Sequence, residues 1–164
     1  MRAQRGPARA QFSIERTYAA PIDRVWALWT TRHGIESWWG PEGFEVKVTS
    51  LDLRPGGELR YEMTAVAPEQ VAFMKQAGMA LTTRARVTYT EVTPGKRLAY
   101  KTVADFMPGV EPYDVATGVE FQATAGGVRL VITVDAMHDE VWTARARAGN
   151  ESQLRKLDAL LGTH

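Results

Sequence analysis

The stretch Glu36–Val46, ESWWGPEGFEV, sets two adjacent tryptophans ahead of Gly-Pro, a second glycine and the start of an alternating run. Adjacent side chains diverge by about 100° in a helix and face opposite sides in a strand. One of Trp38 and Trp39 is therefore expected in the ordinary core, and the other at a second apolar destination. We assign Trp39, next to the turn, to that second place. A proline drives its predecessor out of the helical region, so Gly40-Pro41 should end the helix that carries the pair. Beyond the turn, Phe44, Val46 and Val48 alternate with Glu45, Lys47 and Thr49, the signature of a half-buried strand. The segment is a helix-to-strand junction.

Upstream, FSIERTYA (Phe12–Ala19) alternates as a strand. In APIDRVWALWT the period changes. Ile22, Val25, Trp26 and Trp29 fall on one helical face behind Pro21, and Thr31 is placed to cap a second short helix. Downstream, strands dominate. RPGGE (Arg54–Glu58) and TPGKR (Thr93–Arg97) are turns between alternating runs. Pro68 and Glu69 open a short helix that Gly78 should stop. FMPGVEPY (Phe106–Tyr113) reads as a loop, and two strands meet at Gly126-Gly127. A helix closes the chain from about Asp139 to Leu161. Strands with one apolar face need a cover on that side. At ~1.5 Å per residue, only the last helix is long enough to supply it. A curved sheet around one helix is hard to fill with side chains, so an internal cavity follows.

The chain has 164 residues, 45% of them hydrophobic, which suits a single domain over 11–164 behind a flexible basic tail, 1–10. Formal charge is +1, and Arg2, Arg5 and Arg9 supply more than that, so the body is slightly acidic. This disfavours nucleic acid as a partner. There is no cysteine, hence no disulfide or thiolate chemistry. No apolar run approaches a membrane span, and the tail lacks a secretory h-region, so the expected location is the cytoplasm.

The successive signals APIDRVWALWT, SWWGPEGF, DLRPGGELRYEM, GKRLAY and ESQLRKLDALL resemble the activator of heat-shock protein 90 ATPase homologue family, within the START-like or SRPBCC superfamily. The resemblance runs from about Phe12 to Leu161. It implies the α+β helix-grip fold: a curved antiparallel sheet of six to seven strands around a long C-terminal helix, with two short helices between the first two strands. It also implies either a cavity for a small molecule or a protein-interaction role. Two departures stand out. A tryptophan expected after the glycine of the last helix is Asn150 here, and the segment 68–80 lengthens a usually short loop.

Asn150, Leu154, Leu157 and Leu161 form one helical stripe, so Asn150 is expected to face the sheet and border an enlarged, partly polar pocket. Its alternative is a polar residue satisfied by protein or water. Phe73 and Met74, with Met79, form either a lid over the cavity or a cluster pinning a surface helix. Inward strand residues, Tyr61, Met63, Tyr89, Tyr100, Phe106, Phe121 and Met137, are core or pocket lining, the tyrosines favouring the pocket because a buried phenol needs a partner. The expected ligand-binding set is Trp39, Tyr61, Met63, Phe73, Met74, Tyr89, Tyr100, Phe106, Phe121, Asn150 and Leu154. No catalytic set, metal site or cofactor is expected. His33, His138 and His164 show no metal-ligand spacing, and Asp139 after His138 reads as a helix cap. The leading function is non-catalytic binding of a small hydrophobic or aromatic molecule, lipids included. The alternatives are interaction with a chaperone or other protein, and a cavity enzyme of cyclase or hydrolase type.

Overall fold

The structure, a computed structural model, describes residues 10–105 and 109–162. The N-terminal tail expected over 1–10 lies outside the described residues except for Ala10, as does Phe106. Strand β1 (Gln11–Tyr18) leads into helices α1 (Ile22–Thr30) and α2 (Arg32–Glu36). Then come β2 (Phe44–Leu51), β3 (Glu58–Ala65), helix α3 (Pro68–Gln76), β4 (Thr82–Thr93), β5 (Arg97–Ala104), β6 (Tyr113–Thr124), β7 (Gly127–Asp135) and helix α4 (Glu140–Leu161). The seven strands form one antiparallel sheet in the order β1-β7-β6-β5-β4-β3-β2. The fold is the expected α+β helix-grip architecture, with the short helices joining the two edge strands.

Local chemistry sets the element ends. Thr31 accepts a hydrogen bond from Gly34 N and caps α2, and Asp139 accepts one from Trp142 N at 2.8 Å and caps α4. Helix α2 stops at Glu36, earlier than the Trp38 expected from the sequence. It holds the edge strand instead. Glu36 Oε2 accepts from Val48 N at 2.8 Å, and the Arg32 guanidinium donates to Val48 O, next to a bulge between Val48 and Ser50. Strand groups that would stand open at a sheet edge are thereby satisfied.

The inner face of the sheet carries the core: Val48, Leu59, Val87, Leu98, Val119, Leu130 and Ile132 are all buried, and Leu154 and Leu157 of α4 meet them. Polar contacts also hold α4 at its flanks. On the β1 side, Arg16 pairs with Glu151 at 2.6 Å and Asp158 at 3.2 Å, and the Tyr18 hydroxyl donates to Asp158 at 2.6 Å. On the other side it is tied to the turn after Trp39. The space between these two attachments is where the site lies.

Candidate ligand-binding cavity

The two tryptophans join one aromatic cluster, and Trp39 also reaches the second apolar destination assigned to it. Trp38 is fully buried and Trp39 only 6% exposed, and both rings converge on Trp29, with centroids at 4.6 and 5.7 Å. They also meet each other edge-on at 5.2 Å. Regular periodicity fails because the pair sits past the end of α2: the N–H groups of both residues bond to Ile35 O, and the chain turns there. Gly40 then takes φ +86°, a left-handed conformation that favours glycine, and a Cβ there would crowd Val46 and Met63. Trp38 Nε1 donates to Leu28 O at 2.8 Å. Trp29 Nε1 has no hydrogen-bond partner, the one such fully buried side-chain atom among the described residues, and the rings of Trp38, Trp39 and Phe121 pack edge-on around its indole.

Four residues of α4 fasten this turn. Gly40 N donates to Gln153 Oε1 at 2.9 Å, and Glu42 N donates to Ser152 Oγ at 3.0 Å. Lys156 Nζ donates to Trp39 O, Gly40 O and Phe44 O at 3.1 to 3.3 Å, and Arg155 pairs with Glu42 at 2.9 Å. Burial lowers the Lys156 pKa, opposed by Glu45 and Glu42. Charge-assisted bonds such as these three to main-chain carbonyls are the strong kind. They hold the indole of Trp39 as the end wall of the space under the helix.

That space is a half-open pocket of about 240 Å³. Its floor is made of short side chains on β4 to β7, among them Val87, Thr102, Ala104, Val115, Thr117 and Val134, with Met137 at the end of β7. Its ceiling is Ala146, Asn150 and Gln153, and its aromatic wall is Trp39, Tyr61 and Tyr100. The cavity exists because small residues oppose small residues: Ala146 stands over alanine, threonines and valines, and nothing long reaches across. Trp39 lies 6.5 Å from the Tyr61 ring and 5.9 Å from the Tyr100 ring. Burial pushes the phenols of Tyr61, Tyr89 and Tyr100 up, opposed at Tyr61 by the neighbouring Trp39 and at Tyr100 by the neighbouring Thr117. The phenols are therefore neutral polar groups, and no carboxylate, ammonium or guanidinium lines the cavity.

Of the residues expected at the site, Trp39, Tyr61, Tyr100 and Asn150 come together in the cavity. Phe106 lies outside the described residues, and the remaining ones are elsewhere. Phe121 packs edge-on against Trp26 at 5.0 Å, and Tyr89 and Leu154 are buried in the core, outside the cavity lining. Met63 lines a second, larger space of about 1110 Å³, outside the lining of the first. It shares Tyr61, Thr102 and Val103 with the cavity, so the two spaces adjoin. Met74 is buried beneath α3, whereas Phe73 is 62% exposed. At about 100° per residue, Phe73 points well away from the Val71–Met74 face, so it is not a cavity residue. The sequence reading missed Gln153, Thr102 and Thr117. Gln153 follows Asn150 by three and Ala146 by seven, which is one helix face, and Thr117 is the register partner of Tyr100. The first signal was legible. The second was hidden by the loop that separates β5 from β6.

His138 stands at the entrance to α4, outside the cavity lining. Its Nδ1 is 2.9 Å from the Tyr113 hydroxyl, and its own backbone N–H donates to that hydroxyl at 3.0 Å. These contacts tie the start of β6 to the start of the helix. No group of three or more His, Cys, Asp or Glu that could hold a metal occurs among the described residues.

The family described as activator of Hsp90 ATPase homolog 1-like protein matches residues 19–162. The chain belongs to this family. Its fold is shared with solved structures that span nearly the whole chain. A Chromobacterium violaceum protein is 25% identical, with a TM-score of 0.74 over 94% of this chain and 98% of its own. The AHSA1 protein from Silicibacter pomeroyi is 21% identical, with a TM-score of 0.70 over 92% and 96%. The AHSA1-like protein from Aeromonas hydrophila, a solution structure, is 22% identical, with a TM-score of 0.66 over 94% and 98%. No curated protein matches the sequence. Among the described residues, no helix is long and apolar enough to cross a membrane. Membership in this family is consistent with a ligand-binding or a co-chaperone-like role.

Proposed function

We propose that this protein binds a compact hydrophobic or aromatic molecule, without transforming it, in the cavity between α4 and the sheet. The observation that carries this reading is the lining: apolar walls, three aromatic rings at one end, and a few polar groups converging from α4 and β6. This is the composition of small-molecule sites. A volume of about 240 Å³ lies at or below the lower end of the ~300–1,000 Å³ such sites occupy, which favours a ligand of one or two rings over a long-chain lipid. Burial of its apolar surface would drive binding at roughly 25 cal/mol per Å² gross.

Asn150→Trp tests the reading. An indole at this ceiling position fills the cavity, so binding of 2-methylnaphthalene, followed by calorimetry, should weaken at least tenfold. Unchanged affinity in a folded variant would place the site elsewhere.

A second reading, docking onto another protein, has its own observation. Val66, Phe73 and Met79, around α3, are 45%, 62% and 50% exposed. If α3 is a contact surface for an Hsp90-type ATPase, the native chain stimulates that ATPase and Phe73→Ser abolishes the stimulation while 2-methylnaphthalene still binds. Absence of stimulation by the native chain counts against this reading.

A further inference from the structure

The ceiling of the cavity carries two amides, Asn150 and Gln153, on one face of α4. Any selectivity they confer rests on the cavity being the ligand site. Which end of an amide is oxygen is normally a matter of assignment. Here a backbone partner decides it in both cases. Asn150 Nδ2 donates to Ala146 O at 2.9 Å, and a carbonyl can only accept, so the nitrogen must face it. Gln153 Oε1 accepts from Gly40 N–H at 2.9 Å, and an N–H can only donate, so the oxygen must face it.

Two polar atoms remain, Asn150 Oδ1 as an acceptor and Gln153 Nε2 as a donor. Neither has a protein hydrogen-bond partner among the described residues, and neither is fully enclosed, since Trp29 Nε1 is the one enclosed side-chain atom left unpaired there. The two amides are held at the other end by main chain, so the pair is preorganised and its order cannot be reversed by flipping. The Thr102 and Thr117 hydroxyls add groups that both donate and accept. No charged side chain lines the space, so a charged ligand would lose its hydration and gain no counter-charge.

We propose that the cavity selects an uncharged ring compound bearing adjacent hydrogen-bond donor and acceptor groups, a primary carboxamide or lactam being the simplest class. Its N–H meets Asn150 Oδ1, its carbonyl meets Gln153 Nε2, and its ring lies against Trp39, Tyr61 and Tyr100.

Three probes of similar shape separate the possibilities: 2-naphthamide, 2-naphthoate and 2-methylnaphthalene, titrated by calorimetry at neutral pH. The amide should bind about tenfold or more tighter than either of the others. Two variants then read the pair. Asn150→Leu removes the acceptor, and Gln153→Glu keeps an oxygen for Gly40 N–H while replacing the donor. Each should remove the amide's advantage, read within each variant as the ratio of the 2-naphthamide affinity to the 2-methylnaphthalene affinity, which should fall to within about threefold of one. Equal binding of all three probes, tighter binding of the carboxylate, or an equal loss for all probes in Asn150→Leu overturns this inference while cavity binding stands. If none of the three binds the native protein, the cavity reading itself falls, and this inference with it.

Discussion

Trp38→Ala should destabilise the protein by about 3–5 kcal/mol, and Trp39→Phe by much less. Trp38 is fully buried, packs edge-on against both Trp29 and Trp39, and satisfies Leu28 O with its indole N–H. Truncating it opens a hole between α1 and the sheet, and large aromatic-to-alanine changes in cores cost about this much. The freed Leu28 carbonyl adds a smaller penalty unless water reaches it. Against a typical domain stability of ~5–15 kcal/mol, the variant stands near the edge of folding. Trp39→Phe keeps a ring in the cavity wall and gives up the polar edge of the indole beside Tyr61. Its signature is spectroscopic. Trp39 alone among the five tryptophans lines the cavity, so quenching by a bound aromatic should largely vanish in Trp39→Phe. Urea titrations and fluorescence titrations on both variants check the two halves. A stable Trp38→Ala, or full quenching in Trp39→Phe, would reverse the roles assigned to the rings.

The second large effect is alkaline unfolding. Tyr18, Tyr61, Tyr89 and Tyr100 have phenols raised above their ordinary value of 10.0. Burial is the main cause in each, and at Tyr18 the bond to the Asp158 carboxylate adds to it. The sign follows from linkage. A group with a raised folded pKa holds its proton more tightly in the folded state, so its contribution is fully present below pH ~10 and is lost as pH rises through the folded value. Each such group steepens the loss by about 1.4 kcal/mol per pH unit, so four together approach ~5 kcal/mol per unit. The protein should therefore unfold cooperatively within about one to three pH units above 10. Phenolate absorbance should rise together with the loss of circular dichroism. Titration of these four phenols near 10 in a protein that stays folded would contradict the burial described.

The sequence revealed the sheet because alternation is a local property: Phe44-Val46-Val48 and Leu59-Tyr61-Met63 declare their inner faces without reference to anything distant. It revealed α4 for the same reason, through a cap at Asp139 and a leucine stripe. It misplaced Phe73 because an apolar pair, Phe73-Met74, cannot both face inward from one helix, and composition does not say which one does. Tyr89, Phe121 and Leu154 were grouped with the cavity because inward-facing and cavity-facing are the same in sequence. They differ only in whether a partner fills the space opposite. Phe121 meets Trp26, whereas Tyr100 meets Thr117 and open volume.

The tryptophan junction marks where the two levels of information part. The residues of SWWGPEGF determine by themselves that a helix ends, that the chain reverses at a glycine, and that two indoles must be buried, since these depend on backbone sterics and apolar area alone. They do not determine that both rings enter one aromatic cluster, or that Trp39 also closes a cavity. Those outcomes come from Trp29 on α1 and from Gln153 and Lys156, more than a hundred residues away, which hold the turn by its backbone. A cavity is the volume left between elements, and no single stretch of chain encodes it. It appears only when Ala146 is set over short side chains on β5 and β6 and the polar attachments of α4 keep the helix at that distance.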